Sequence, residues 1–529
     1  LILGVDEKNT YVLNLDKLDS ELVKAKISQI KKVVGYDVKS TLKIFIELGA
    51  DLPEVLHDVM TGAFLLNPLR RIQSLDELSS ADLGYSGSSL DEIDDEGLIA
   101  RAAEVTGAVR ELYERQEKEL SKLEKLNKVA QKIEWPLVSV LAKMEYIGIK
   151  LDKSHLERIN DQIEDKVSDL EQEIYGYADA EVNIGSPQQL AEVLYVKLGL
   201  PTQGIKKGKT GYSTAASELA KLNGLHPIID LISQWREVTK LKNTYVDTLP
   251  EMTDENSRVH TTYNLTVAQT GRLSSADPNL QNIPVRTELG REIRTAFVAG
   301  QGKKFVSADY SQQELRLAAY LSEDKELIDM FNRDVDVHVA TASQIYSREP
   351  QDITKNMRRD AKVVNFGVMY GLGPHGLAQA TGMTHEQAKH FIEKYFEVRP
   401  KLKEYIEKIR EKAKRDGYIE TLLGRRRPTP DVHSSNFMVR EGAMRAAVNM
   451  PFQGSAADIM KLAMVKVAEK LERKDCDILL QIHDSLIVEC SEDVAEDIAQ
   501  IMKITMENVI KLPIKLTVDT TIGKNWGEL

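Results

Sequence analysis

One stretch constrains the fold of this chain more than any other: Phe305-Val-Ser-Ala-Asp309-Tyr-Ser-Gln-Gln-Glu314-Leu-Arg316. A short apolar run stops at a single carboxylate and a helix-like pattern follows at once, so a strand should deliver Asp309 to the start of a helix. Ser311 and Glu314 have the S-x-x-E spacing of a capping box, which predicts reciprocal bonds around the free N–H groups of that helix. A carboxylate at such a junction can hold a divalent cation beside a helix N-terminus, where phosphate is also favoured. A lone strand-end aspartate is more often a turn or cap residue, so its meaning depends on what else the chain brings to it.

With 529 residues the chain is long enough for several domains and more than one core. Two cysteines, Cys476 and Cys490, exclude a disulfide framework and a four-cysteine zinc site, and make a reducing cytoplasm the expected setting. No apolar run is long enough to cross a bilayer, so no membrane partner is expected. The opening Leu-Ile-Leu-Gly-Val lacks the basic region of a signal peptide and reads as a strand entered mid-domain, as in a fragment. A net charge of −12 argues against a nucleic-acid coat, yet it permits an enzyme with a local basic cleft. Basic clusters occur at Lys206-Lys207-Gly-Lys209, Lys240-Leu-Lys242, Arg358-Arg359 with Lys362, and Arg425-Arg426-Arg427. Each by itself reads as solvated surface.

Leu1–Val5 and Thr10–Leu15 read as strands around the polar turn Asp6–Asn9, and alternating helical and strand-like segments continue to about residue 80, the pattern of an α/β layer. A polar, acidic loop follows, then a Glu/Lys-rich helical pattern from Leu98 toward Lys132 that Trp135-Pro136 is expected to break. Leu156, Ile159, Ile163, Val167, Leu170 and Ile174 recur at helical steps, the pattern expected of one half of an antiparallel helical hairpin. Gly204-Ile-Lys-Lys-Gly208-Lys209-Thr210 is not a P-loop, because three residues separate its glycines where four are needed. Thr270–Ser275 and Pro278–Arg286 are turn-rich. Their Arg272, Asn279 and Asn282 suit a sugar–phosphate backbone or base edges, and equally suit loops whose amides satisfy their own backbone.

Two further signals stand out. Arg358, Lys362, Phe366 and Tyr370 step by four and are followed by Gly371. On one helix they would form a slanting stripe about 18 Å long, two cations then two aromatics, suited to a nucleoside triphosphate. The bland alternative is an amphipathic helix with its aromatics in the core. The second signal is Ile478–Glu489, two apolar runs around His483-Asp484, which reads as a hairpin with an acid at its tip. If that tip meets the end of the Asp309 strand, two carboxylates can bracket two divalent cations roughly 3.5–4 Å apart, an arrangement for phosphoryl transfer.

Taken in order, Asp309-Tyr-Ser-Gln-Gln-Glu314-Leu-Arg316, Arg358 to Gly371 and Gln481-Ile-His483-Asp484 resemble motifs A, B and C of the family A DNA polymerases. The resemblance implies an α/β multidomain, right-hand architecture of palm, fingers and thumb, with an N-terminal RNase H-like layer of 3′–5′ exonuclease type. Implied domains are 1–134 (exonuclease-like), 135–295 (thumb and start of palm), 296–345 (palm), 346–435 (fingers) and 436–529 (palm). It implies template-directed DNA synthesis in replication and repair, with two Mg²⁺ ions, or Mn²⁺ in their place, held by Asp309, Asp484 and the Tyr310 carbonyl. Arg358 and Lys362 would hold the triphosphate, and Lys362 would protonate leaving pyrophosphate. Phe366, Tyr370, Gln312 and His483 would complete the deoxynucleotide site, and Glu314 would exclude a 2′-hydroxyl. Lys240, Arg272, Asn279, Asn282, Arg445, Asn449 and Gln453 would line primer–template DNA, the last three on one helix face. A monomer in the bacterial cytoplasm or nucleoid is the implied state.

The chain departs from the family pattern in two places: Ser485 stands where motif C usually has glutamate, and Gln313 where motif A usually has isoleucine. Synthesis should survive both, since the two aspartates remain. In the exonuclease-like layer the first acidic motif is expected to precede Leu1. The second and third place Thr41, Ala102 and Leu98 where two aspartates and a tyrosine are expected, so proofreading should be absent.

Overall fold

The computed structural model describes residues 1–6, 9–70, 74–209, 211–285 and 287–529. Glu7 and Lys8 of the first turn, Thr210 of the glycine run and Arg286 of the second turn-rich segment lie outside the described residues. The chain divides into two compact units: residues 1–147, 262–276 and 306–522, and residues 148–261, 277–305 and 523–529.

The first unit is built on a four-stranded sheet in the order Cys476–Ile482, Ser485–Ser491, Lys303–Tyr310, Val518–Gly523. Its hairpin is antiparallel, with Ile482 opposite Ser485, so His483 and Asp484 form the tip. The central Lys303–Tyr310 strand is apolar on both faces, as expected of a strand covered on each side, and Val306 and Ala308 are fully buried. Helices Trp135–Ile147, Ser455–Leu471 and Ala495–Glu507 belong to the same core as these strands.

The N-terminal layer begins with the expected hairpin, Ile2–Gly4 against Thr10–Val12, and holds a parallel pair, Lys32–Gly35 with Glu54–Asp58. Its Val38, Leu42, Val55 and Leu65 join the one buried cluster that also contains Leu141, Ile459 and Val488. Packing is therefore continuous across residue 134. Nor does Trp135-Pro136 break the helix. The chain runs from Glu124–Val129 through a π-turn, Ala130–Glu134, directly into Trp135–Ile147. A proline inside a regular helix loses a hydrogen bond and collides with the carbonyl four residues back; the wider π-turn relieves that conflict.

A buried polar chain ties this layer to the sheet. Lys39 Nζ donates to Glu145 Oε1 and to the Tyr263 carbonyl, both at 2.5 Å, and Glu145 accepts the Tyr263 N–H at 2.7 Å. The Tyr263 hydroxyl accepts the Gln481 N–H at 3.0 Å, and the Gln481 side chain donates to the His483 carbonyl at 2.5 Å. Each partner satisfies a group that would be costly to bury alone.

A second cluster in the first unit gathers Leu315, Val364, Met369, Phe391, Ile406 and Phe452 and supports helix Lys355–Gly367. The second unit contains helices Lys153–Ala178 and Pro227–Leu241, which pack on each other as the expected hairpin with a long connection; Trp235 bonds Glu171 and Lys242 pairs with Glu164. The rejected P-loop is part of a small hairpin, Lys207–Gly208 with Gly211–Tyr212. Among the described residues, no helix is long and apolar enough to cross a membrane.

Candidate active site

Asp309 is the penultimate residue of the central strand and is exposed. The next residue, Tyr310, donates its N–H to the Asp484 carbonyl at 3.0 Å, which pins the hairpin tip beside the strand end. His483 holds the tip in a left-handed conformation (φ 53°), the backbone a two-residue hairpin loop needs. One position further on, the Ser485 and Ser307 hydroxyls bond at 2.9 Å, so the residue that departs from the family pattern joins hairpin to strand.

The placement of the acids sets their charge state. The Asp309 carboxyl is pushed up to about 6 by loss of water around it and by the like charges of Asp484 and of Asp519 on the edge strand. Because Asp309 as a residue keeps substantial solvent, the two neighbouring carboxylates are the more telling cause. Burial also raises Asp484, against the opposing pull of Arg272. Among the described residues no three His, Cys, Asp or Glu side chains form a metal-holding group. Any cation here would have to draw ligands beyond the side chains of Asp309 and Asp484, as the expected use of the Tyr310 carbonyl supposes.

Glu314 does not form the expected capping box. Gln312 takes a left-handed conformation (φ 52°) and becomes the residue before the helix, which begins at Gln313, and no side chain caps it. The Glu314 carboxylate is drawn elsewhere, accepting from Arg272 Nη2 at 2.5 Å and from the Tyr370 hydroxyl. Arg272 also lies 3.9 Å from Asp484. Burial raises the Glu314 carboxyl, partly offset by Arg272 and Tyr370. A buried carboxylate held by one cation and one hydroxyl thus sits next to the acid pair.

Arg272 is itself placed by packing. A Cβ on Gly271 (φ 84°) would lie 2.5 Å from Arg425 Nε, so only glycine lets the loop approach. Arg425 is fixed from below: it pairs with Glu134 and, at 2.7 Å, with Asp458, while Lys461 holds Glu134 at 2.8 Å. All four side chains are almost fully buried, so removing one partner would strand a charge.

The basic helix is Lys355–Gly367, with Arg358, Lys362 and Phe366 on it; Tyr370 falls on the following 3₁₀ turn, Val368–Tyr370. The stripe is therefore three residues of α-helix and one beyond it. Gly371 ends the turn in a left-handed conformation (φ 73°), and a Cβ there would come within 2.6 Å of Arg445 Cγ. Tyr370 brings the helix end to the acids through its bond to Glu314.

Arg445 and Asn449 lie on helix Phe437–Asn449, but Gln453 lies on the π-turn Met450–Gly454, so the expected single helix face is interrupted. Asn449 still donates to Gln453 at 2.9 Å. Lys240, Asn279 and Asn282 belong to the second unit. Lys240 is exposed in the last turn of Pro227–Leu241, and Asn279 precedes the short 3₁₀ turn Leu280–Asn282, which Asn282 ends.

Sequence reasoning missed Asp336 and His338. Asp336 accepts from Arg358 Nε at 2.8 Å. His338 is buried, bonds Asn365 at 3.0 Å and lies edge-tilted to the Phe366 ring at 5.7 Å. Burial pushes its pKa down to about 4, so the ring is neutral near pH 7. Nothing in the local sequence marks either residue.

The model of DNA polymerase family A matches residues 153–528. The chain is 42% identical over 94% of its length to a thermostable DNA polymerase I of Thermus thermophilus, covering 58% of that protein. It is 39% identical over 94% of its length to DNA polymerase I of Bacillus caldotenax, again covering 58%. It thus spans a little over half the length of these curated relatives. The polymerase domain of Pol1 from M. smegmatis, solved in complex with DNA primer-template and dNTP, shares its mixed α/β right-hand fold, with a TM-score of 0.90, 36% identity, and coverage of 98% of this chain and 91% of that one. On the family model, these relatives and the shared fold together, the chain belongs to DNA polymerase family A.

Proposed function

We propose that the chain extends a primer on a DNA template, its 3′-oxygen attacking the α-phosphorus of a deoxynucleoside triphosphate as pyrophosphate leaves. The observation that carries this reading is the meeting of Asp309 and Asp484 at the end of one strand, beside Glu314, Arg272 and Tyr370. A carboxylate pushed up to about 6 by loss of water around it and by the like charges of Asp484 and Asp519 is an oxygen-ligand set that fits divalent cations. Asp309, Asp484 and the Tyr310 carbonyl would hold them, and when bound such ions supply charge neutralisation and an activated hydroxyl.

The chain's own residues do the positioning. Arg358 and Lys362 bind the triphosphate from the basic helix, and Lys362 gives a proton to departing pyrophosphate. Phe366 packs on the sugar, and Gln312, His483 and Tyr370 border the insertion site. Glu314, buried and held on two sides, leaves no room for a 2′-hydroxyl and so selects deoxynucleotides. Arg272, Arg445, Asn449 and Gln453 in the first unit, and Lys240, Asn279 and Asn282 in the second, contact primer–template backbone and minor-groove edges. Residues 1–134 act as an exonuclease-type layer without proofreading. In support, Thr41, Ala102 and Leu98 stand where ligands are expected, and Asp58 is consumed by the Val38 and Thr61 N–H groups.

The test is extension of a labelled primer with Mg²⁺ by wild type and Asp484→Asn, using deoxy- and ribonucleotides in parallel. Extension by wild type with deoxynucleotides alone, lost in the variant, is the expected result. Equal extension by both proteins would remove the assigned role.

A further inference from the structure

Arg358 is the first cation of the basic stripe, and how its guanidinium is held decides what it can grasp. Asp336 precedes helix Val337–Tyr346 in extended backbone (φ −66°, ψ 97°). Its Oδ1 accepts the N–H groups of His338 and Val339, at 2.9 and 3.1 Å, so the carboxylate is fixed by the helix start it caps. Its other oxygen, Oδ2, accepts Arg358 Nε at 2.8 Å. Neither Nη of Arg358 bonds another described residue. We infer that Asp336 is a positioning residue for nucleotide binding: by holding Arg358 at Nε it sets the plane of the guanidinium and presents both Nη groups as an open fork for phosphate oxygens.

This inference rests on the reading of Arg358 as a triphosphate ligand. Two physical points support it. A planar guanidinium fixed at Nε has little freedom left, so a bidentate grip on phosphate costs less ordering. The carboxylate that fixes it is already immobilised by two backbone bonds, unlike the usual pair of mobile surface side chains. The pair is also half-exposed, and such pairs contribute at most about 1 kcal/mol to stability. It is therefore too weak to matter chiefly as a fold stabiliser, or to act as a lock that a triphosphate must break.

The experiment is steady-state incorporation of one dATP opposite a template thymine, with kcat and KM measured for wild type, Asp336→Asn, Arg358→Gln and the double variant. Asparagine keeps one carbonyl oxygen for the helix cap but cannot accept from both the cap and Nε. The expected result is a KM for dATP about tenfold higher in Asp336→Asn, the worth of one charge-assisted hydrogen bond. Its kcat stays within twofold and its thermal midpoint is unchanged. In the Arg358→Gln background the same change adds nothing further to KM. An unchanged KM, a lowered KM, or additive effects in the double variant would each overturn the inference. If Arg358→Gln itself leaves KM unchanged, the triphosphate assignment of Arg358 fails and this inference with it. Asp336→Ala, which also loses the cap, provides the folding control: a fall in thermal midpoint without any rise in KM, there and in Asp336→Asn, assigns Asp336 to stability alone.

Discussion

Asp58 and Asp309 lie in the same unit, and both carboxyls are pushed up to about 6, yet they are opposites. Asp58 is buried at the end of a strand of the N-terminal layer and accepts the Val38 N–H at 2.7 Å and the Thr61 N–H at 2.9 Å. Its raised pKa is chiefly the cost of burial. Asp309 lies next to the end of its strand, but it is exposed, its carboxylate accepts no hydrogen bond from any described residue, and it faces Asp484 and Asp519. One carboxylate has its partners built in; the other has only like charges near it. A pKa alone does not separate a structural acid from a catalytic one, whereas its bonding does.

The largest effect expected from this contrast is at the exposed pair. Asp484→Asn should lower the rate of primer extension by about 10³-fold or more, with little change in thermal midpoint, since it removes charge where positioning and neutralisation do the chemistry. Rapid-quench single-nucleotide incorporation measures it. A loss under tenfold would erase the distinction between the two aspartates.

Asp58→Ala should do the reverse. It strands two buried N–H groups and loses a helix cap, costing about 2–4 kcal/mol of stability by denaturant unfolding, with kcat unchanged. Neighbouring His57 sharpens the point through pH. Burial pushes its pKa down to about 4, so the folded chain binds fewer protons there than the unfolded chain, and this contribution to stability is lost as pH falls from 6.5 through 4. Asp58 has the opposite sign: its raised pKa gives stability that is lost as pH rises from 3.8 through 6. In wild type the two slopes oppose each other between pH 4 and 6. Asp58→Asn should uncover the histidine alone, and unfolding curves taken across that window should show a steeper acid loss.

The contrast also explains what could be read from the sequence. The strand ending in Asp309 and the hairpin tipped by Asp484 were legible because each is an apolar run cut by an acid, a local pattern. The failed expectations concern partners far away in sequence or local π-turns that propensity does not mark. Glu314 was expected to cap its own helix, but Arg272 and Tyr370, 42 and 56 positions away, take its carboxylate. Asp336 reads locally as a cap, which it is, while its bond to Arg358 spans 22 positions. Trp135-Pro136 reads as a break because local propensity cannot foresee a π-turn. The buried Glu134–Arg425–Asp458–Lys461 group was invisible for the same reason, since three basic residues in a row look like surface.

Gln313 extends the comparison to a buried group without partners. It is 1% exposed, and both side-chain amide atoms lack a hydrogen bond among the described residues. Where Asp58 offsets its burial with two bonds, Gln313 has none. Gln313→Ile should therefore stabilise the chain by about 1–3 kcal/mol in denaturant unfolding. A destabilised variant would mean that the amide has partners the structure lacks.

The smallest effect belongs to Ser485. Its hydroxyl meets Ser307 in a single neutral bond between hairpin and strand, where a glutamate would have added a further like charge to Asp309, Asp484 and Asp519. Such a bond is worth about 1 kcal/mol, so Ser485→Ala should lose that much stability and keep kcat within twofold. The outcome discriminates because the two interpretations of this position diverge. A hydroxyl that only ties two strands together changes the unfolding midpoint and nothing else, while one that serves the reacting groups would depress kcat at an unchanged midpoint. With the backbone bond from Tyr310 to Asp484 already holding the tip, the first outcome follows from the geometry.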